Sequence, residues 1–235
     1  MKGWSFSMNK RRMNRDLILI VFVITFISIT APALASYTDW EQIKTQNAII
    51  GTRNTNVYDG SREVLIYFGM ASERGDFYES ITHLDTVFSP TSYDLIVVTI
   101  RNCDNNKSNL WVNACVDAIE ALSDTFEDKT LNIKCVGASL GGYGAYFFTM
   151  HSHIVDELIL LDACVPYNVE EEQVKEALNE GIHVTVISTL ELERNISNTS
   201  YQVVHKFYGK EGFTGASVDY SHGQMLEYAI NNDYL

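Results

Sequence analysis

The stretch Asn132-Ile-Lys-Cys-Val-Gly-Ala-Ser-Leu-Gly-Gly-Tyr-Gly-Ala-Tyr-Phe-Phe148 sets one serine between glycines, directly after an apolar β-run and directly before a helical pattern. Gly137 and Gly141 stand two residues before and after Ser139. A serine on a sharp strand-to-helix turn projects its Oγ out of the turn, and glycines at those two offsets remove side chains that would collide there. The helix N-terminus behind it offers amide donors and positive dipole to a developing oxyanion. Serine is also a favoured N-cap, but a cap explains neither the glycine at −2 nor Gly142, Gly144 and Ala145 along the next turn. Ser139 is therefore read as a candidate nucleophile.

Outward from this turn the chain alternates. β-branched apolar runs occur at Val64–Phe68, Leu95–Ile100, Leu131–Val136, Leu158–Leu161, Val184–Ser188 and Tyr201–Tyr208. Several are apolar at every position, as in strands covered on both faces. Between them lie helical patterns at about Phe77–Phe88, Leu110–Phe126, Leu140–His151 and Val169–Asn179, and a last one at about Gly223–Asn231. Such alternation builds a parallel sheet with right-handed crossovers. Ala48–Tyr58 is expected to add an edge strand. The fold class expected is a three-layer α/β/α sandwich with a mostly parallel sheet, in which ligands gather at the carboxyl ends of the strands.

The N-terminal segment has a different character. Lys2, Lys10, Arg11, Arg12 and Arg15 precede the uncharged run Leu17–Thr30, and Ala33-x-Ala35 then presents small residues. This order is that of a secretory signal, with an apolar run short for a membrane span. Residues 1–35 are expected to be a signal peptide, an uncleaved anchor being the other reading, and residues 36–235 a single domain. A domain of that size buries roughly 70% of its unfolded surface. The whole chain carries 17 Lys and Arg against 30 Asp and Glu; without the leader's five basic residues and Asp16 the balance is 12 against 29, a net of −17. So acidic a domain argues against nucleic acid and against anionic membrane surfaces as partners. The expected location is secreted or extracytoplasmic.

Cys103, Cys115, Cys135 and Cys164 form no CxxC or Cys/His spacing of a zinc site. Export permits a Cys103–Cys115 disulfide. Cys115 also falls on the i, i+4 stripe of Trp111, Ile119, Leu122 and Phe126, where cysteine serves as a small apolar residue. Both readings stay open. No P-loop, dinucleotide or metal-ligand spacing appears, so no cofactor and no metal are expected.

Gly137-Ala138-Ser139-Leu140-Gly141, with the strand–helix alternation from Val64 to Ile230, resembles the α/β-hydrolase superfamily. The resemblance implies a fold of that type and a Ser–acid–His triad in that chain order. It implies an oxyanion hole built from two backbone amides: that of Leu140, following the nucleophile, and one in Phe68-Gly69-Met70-Ala71, with Met70 as donor. It implies a base between the last strand and the final helix, where His222 stands in Tyr220-Ser221-His222-Gly223-Gln224. The acid commonly follows the penultimate strand, where only Glu191 and Glu193 are found. Some members take it from the preceding strand end, here Asp162 in Leu160-Leu161-Asp162-Ala163. The order of expectation is Glu191, then Asp162, then Glu193.

A Ser–His pair with an oxyanion hole supports acyl transfer to water. The short interval between Asp162 and Val184 leaves little room for a large lid, which favours a small-molecule or exposed acyl-ester substrate. An exported carboxylesterase or deacetylase is the first reading. A non-catalytic hydrolase-fold binding or scaffold protein, and an acyltransferase on the same elbow, are the alternatives.

Overall fold

Strands that are apolar at every position have to be covered on both faces, and the middle of this chain supplies them in series. Val64–Phe68, Leu95–Val98 and Leu158–Leu161 are each at most 3% exposed. In the computed structural model, which describes residues 40–53, 62–69, 77–88, 93–101, 108–126, 131–164, 169–190 and 199–235, these runs lie inside one eight-stranded sheet. The sheet belongs to the compact unit Glu41–Leu235. The expected signal segment lies outside the described residues.

The strands are β1 (Glu41–Lys44), β2 (Ala48–Arg53), β3 (Arg62–Phe68), β4 (Tyr93–Ile100), β5 (Leu131–Ala138), β6 (Glu157–Leu161), β7 (His183–Thr189) and β8 (Phe213–Val218). They lie in the order β1-β2-β4-β3-β5-β6-β7-β8. β1 pairs antiparallel with β2 and β2 antiparallel with β4, and every pairing from β4 through β3 to β8 is parallel. The helices are α1 (Phe77–Val87), α2 (Ser108–Leu122), α3 (Gly141–Ser152), α4 (Glu171–Asn179), α5 (Thr199–Phe207) and α6 (Met225–Asn231). A mostly parallel sheet with such crossovers is the expected α/β architecture.

One core cluster joins α2, α3 and α4 to one face of the sheet. Phe68 at the end of β3 meets Trp111 of α2 at 5.7 Å and Phe148 of α3 at 5.8 Å between ring centroids. Each such aromatic pair contributes about 0.5–1.5 kcal/mol beyond its buried area. Cys115 sits in this cluster as a buried free thiol, its Sγ 3.3 Å from the Gly144 carbonyl oxygen. The Cys103 half of the considered disulfide lies outside the described residues.

Two expectations are corrected. Tyr201–Tyr208 is not a strand but most of α5. Ser200, Val203, Val204 and Phe207 are buried at helical spacing, while Gln202, His205 and Lys206 face out, so a period of 3.6 prevails over the local β-propensity. The strand in that part of the sheet is β8, Phe-Thr-Gly-Ala-Ser-Val, which has little β-branched character to announce it. The segment beginning at Ala48 forms β2 but is not an edge, because the exposed β1 pairs outside it.

Candidate active site

The serine turn is built as its sequence requires. β5 ends at Ala138, Ser139 takes a left-handed backbone (φ 52°), and Leu140 at φ −63° leads into α3. A non-glycine residue at positive φ costs roughly 1–2 kcal/mol, so the surroundings must enforce it. They do: Ser139 N–H donates to Leu161 O at 2.9 Å, and Gly142 N–H donates to Ser139 O at 3.1 Å. A Cβ on Gly141 would fall onto the carbonyl oxygens of Phe68 and Gly69. Gly142 is closed in by Gly137 on one side and Ala163 Cβ on the other. The glycines are thus sites of backbone contact between the elbow, the end of β3 and the residue after Asp162.

Asp162 repeats the device on the neighbouring strand. It follows Leu161, which pairs with Ala138, the residue before Ser139. Asp162 also has positive φ (49°), and its N–H donates to Ile187 O at 2.9 Å. Two adjacent strands therefore end at one level in left-handed residues carrying a hydroxyl and a carboxyl. The Asp162 side chain is wholly buried, and burying a carboxylate is costly unless donors satisfy it. Three do. Thr189 N–H reaches Oδ1 at 2.8 Å, Thr189 Oγ1 donates to Oδ2 at 2.8 Å, and His222 Nδ1 lies 2.9 Å from Oδ2.

His222 begins a 3-10 turn, His222–Gln224, between β8 and α6. Ser221 Oγ donates to Gln224 Oε1 at 2.6 Å, and Gln224 N–H donates to Ser221 O at 3.0 Å, which fastens this turn. The imidazole side chain is 42% exposed while its carboxylate partner is fully covered. With Nδ1–H directed at the carboxylate, Nε2 is left as the acceptor on the open side of the ring.

Of the carboxylates considered, the structure brings Asp162 to His222; Glu191 and Glu193 lie outside the described residues, as does Met70. Leu140 stands directly after Ser139 at the N-terminus of α3. Thr189 carries no signal of a role in the sequence, because a threonine ending a β-branched strand reads as ordinary strand composition. Among the described residues no group of three or more His, Cys, Asp or Glu could hold a metal ion.

No family model matches the chain, and no curated protein matches it. Solved structures do. A dienelactone hydrolase from Anabaena variabilis is similar with a TM-score of 0.56 at 10% identity, over 82% of this chain and 94% of that one. An alpha-beta serine hydrolase homologue from Coxiella burnetii has a TM-score of 0.55 at 12% identity, over 82% and 96%. An alpha/beta-hydrolase-type protein of unknown function from Agrobacterium tumefaciens has a TM-score of 0.59 at 10% identity, over 83% and 94%. The chain has the α/β-hydrolase fold.

Proposed function

We propose that this protein is an exported serine hydrolase that cleaves carboxylic esters through an acyl-enzyme, with Ser139 as nucleophile, His222 as base and Asp162 as acid. The observation that carries the reading is the 2.9 Å contact of His222 Nδ1 with Asp162 Oδ2, next to the strand that leads into Ser139. Glu191, ranked first from sequence, gives way to Asp162 in this proposal.

In the proposed reaction Ser139 Oγ attacks the acyl carbon while His222 Nε2 takes the hydroxyl proton. The oxyanion is met by the amide of Leu140 and, as the resemblance implies, that of Met70. Collapse expels the alcohol, which leaves with the proton from Nε2. Water then attacks the acyl-serine, again losing its proton to Nε2, and the carboxylic acid departs with Ser139 restored. Asp162 holds the ring in the tautomer that leaves Nε2 free.

A carboxylesterase or deacetylase of small or exposed acyl esters fits an elbow without a large lid. Supporting export is the basic–apolar–Ala33-x-Ala35 order of residues 1–35. The non-catalytic reading draws on the missing aspartate after the penultimate strand and on Phe68-Gly69 in place of the family's frequent His-Gly; the buried Asp162 beside His222 speaks against the first.

The test is fluorophosphonate labelling of the exported protein together with hydrolysis of short-chain p-nitrophenyl esters. Labelling that disappears in Ser139→Ala is the expected result. A wild-type protein that neither labels nor turns over such esters would sink the hydrolase reading.

A further inference from the structure

We infer that Thr189 is a positioning residue of this site, which locks the Asp162 carboxylate in the rotamer that receives His222. The inference rests on the triad proposed above and adds a residue to it. Thr189 ends β7, the strand lying between β6, which carries Asp162, and β8, which leads to His222. It pairs in register with Val218, the last residue of β8, and the next amide, Leu190 N–H, donates to Val218 O at 2.8 Å. One residue thus touches the acid on one side and the strand that carries the base on the other.

The contact has two prongs. Thr189 N–H holds Oδ1 and Thr189 Oγ1–H holds Oδ2, each at 2.8 Å. Together they fix the plane of a carboxylate that otherwise turns freely about its last torsion, where rotation is broad and roughly two-fold. Oδ2 then presents its remaining lone pair to His222 Nδ1. Threonine suits the task because its β-branched side chain is stiff at χ1, and Thr189 has no exposed surface. Packing alone would accept valine, which has nearly the same shape. The hydroxyl has a stated recipient, and that recipient faces the imidazole.

The acid turn is tied on its far side as well. Ser200 of α5 accepts a hydrogen bond from Cys164 N–H at 3.0 Å and donates to Cys164 O at 3.2 Å. The backbone after Asp162 is therefore held independently of Thr189. Loss of the Thr189 hydroxyl removes one of the two prongs on the carboxylate, so that its plane is no longer fixed, and leaves the turn that bears it in place.

The experiment compares Thr189→Val and Thr189→Ser in the full exported protein, with melting temperature recorded for each. For Thr189→Val, kcat on short-chain p-nitrophenyl esters falls about 10- to 100-fold, the size of a lost hydrogen bond to a charged group, with KM unchanged. Thr189→Ser stays within a few-fold of wild type. In an Asp162→Asn background Thr189→Val has little further effect, since it acts through the carboxylate. Independently of turnover, the downfield NMR proton of His222 Nδ1, assigned by its absence in His222→Gln, persists in Thr189→Ser and is lost or broadened in Thr189→Val. If the valine variant does not fold, Thr189→Ala goes through the same measurements. Native kcat with a native resonance in the folded valine variant, or equal damage in the serine and valine variants, overturns the inference. If the wild-type protein neither labels nor hydrolyses, the hydrolase reading fails, and the resonance still decides the role of Thr189.

Discussion

His222 Nδ1 lies 2.9 Å from Asp162 Oδ2 across 60 residues of chain, and the two come together because β6 and β8 end on the same side of the sheet with β7 between them. The ring is partly open to solvent and the carboxylate is sealed. On the proposed reading this asymmetry suits a proton-transferring pair, one member reachable and the other shielded from competing water.

The first prediction follows directly. Asp162→Asn lowers kcat by on the order of 10³- to 10⁴-fold, because an amide cannot hold the imidazole in the tautomer that leaves Nε2 basic. Glu191→Gln and Glu193→Gln stay within a few-fold of wild type. Steady-state rates beside melting temperatures decide it, and a large loss confined to Glu191→Gln would return the acid to that loop.

Ser139 separates chemistry from strain. Ser139→Ala and Ser139→Gly both abolish fluorophosphonate labelling, since neither has a nucleophile. They differ in stability: at φ 52° glycine escapes the penalty that alanine keeps, so the glycine variant is the more stable by about 1 kcal/mol. Equal denaturation midpoints for the two would mean that the turn is not left-handed in solution.

The contact of Gly142 with Ala163 can be tested by compensation. A methyl group on Gly142 meets Ala163 Cβ, so Gly142→Ala destabilises the protein by about 1–3 kcal/mol through overpacking and lowers turnover by displacing the residue after Asp162. Removing the opposing methyl in Gly142→Ala/Ala163→Gly recovers most of the activity. A double variant no better than the single one would show that the two groups do not compete for the same space.

The buried thiols give a pH prediction. Desolvation by burial pushes Cys135 and Cys164 up to about 12 from an ordinary value of 9.0. Below pH 9 both folded and unfolded chains keep these protons, and stability does not change on their account. Between about 9 and 12 the unfolded chain loses protons that the folded chain retains, so stability falls as pH rises through that window. Thermal melts from pH 8 to 11 should show the decline, reduced in Cys135→Ala/Cys164→Ala. In native protein at pH 8 both thiols should resist iodoacetamide until denaturant is added.

Export has its own check. Mass spectrometry of the secreted protein is expected to begin at Ser36; a cytosolic full-length product contradicts the proposed leader.

The sequence was most readable where one physical cause acts alone. The buried runs of β3, β4 and β6 had to be apolar on both faces, and the order of appearance of the strands carried the parallel architecture. The serine elbow was readable because close contacts at Gly141 and Gly142 leave no room for a side chain unless their neighbours move. β8 was obscured because Gly215 and Ser217 weaken its pattern, while the neighbouring Val203-Val204 imitated a strand that is helical. The place of His222 between the last strand and the final helix was unaffected, since the true β8 also ends before it. The choice among the carboxylates was not legible, because the contact of Asp162 with His222 depends on how neighbouring strand ends come together in three dimensions. Thr189 was silent for the same reason: its hydroxyl gains meaning only when the neighbouring strand ends in a carboxylate.

The run β5-β6-β7-β8 adds each new strand beside the previous one in chain order. The sheet can therefore grow outward as the chain is completed, with each pairing closing only one crossover. Ser139 arrives first, Asp162 next and Thr189 after it, while His222 enters only when β8 has docked at the edge. A partly folded chain would hold a formed elbow with no base beside it, and would be harmless to esters around it. Esterase activity, on the proposed reading, would report that the final strand has docked.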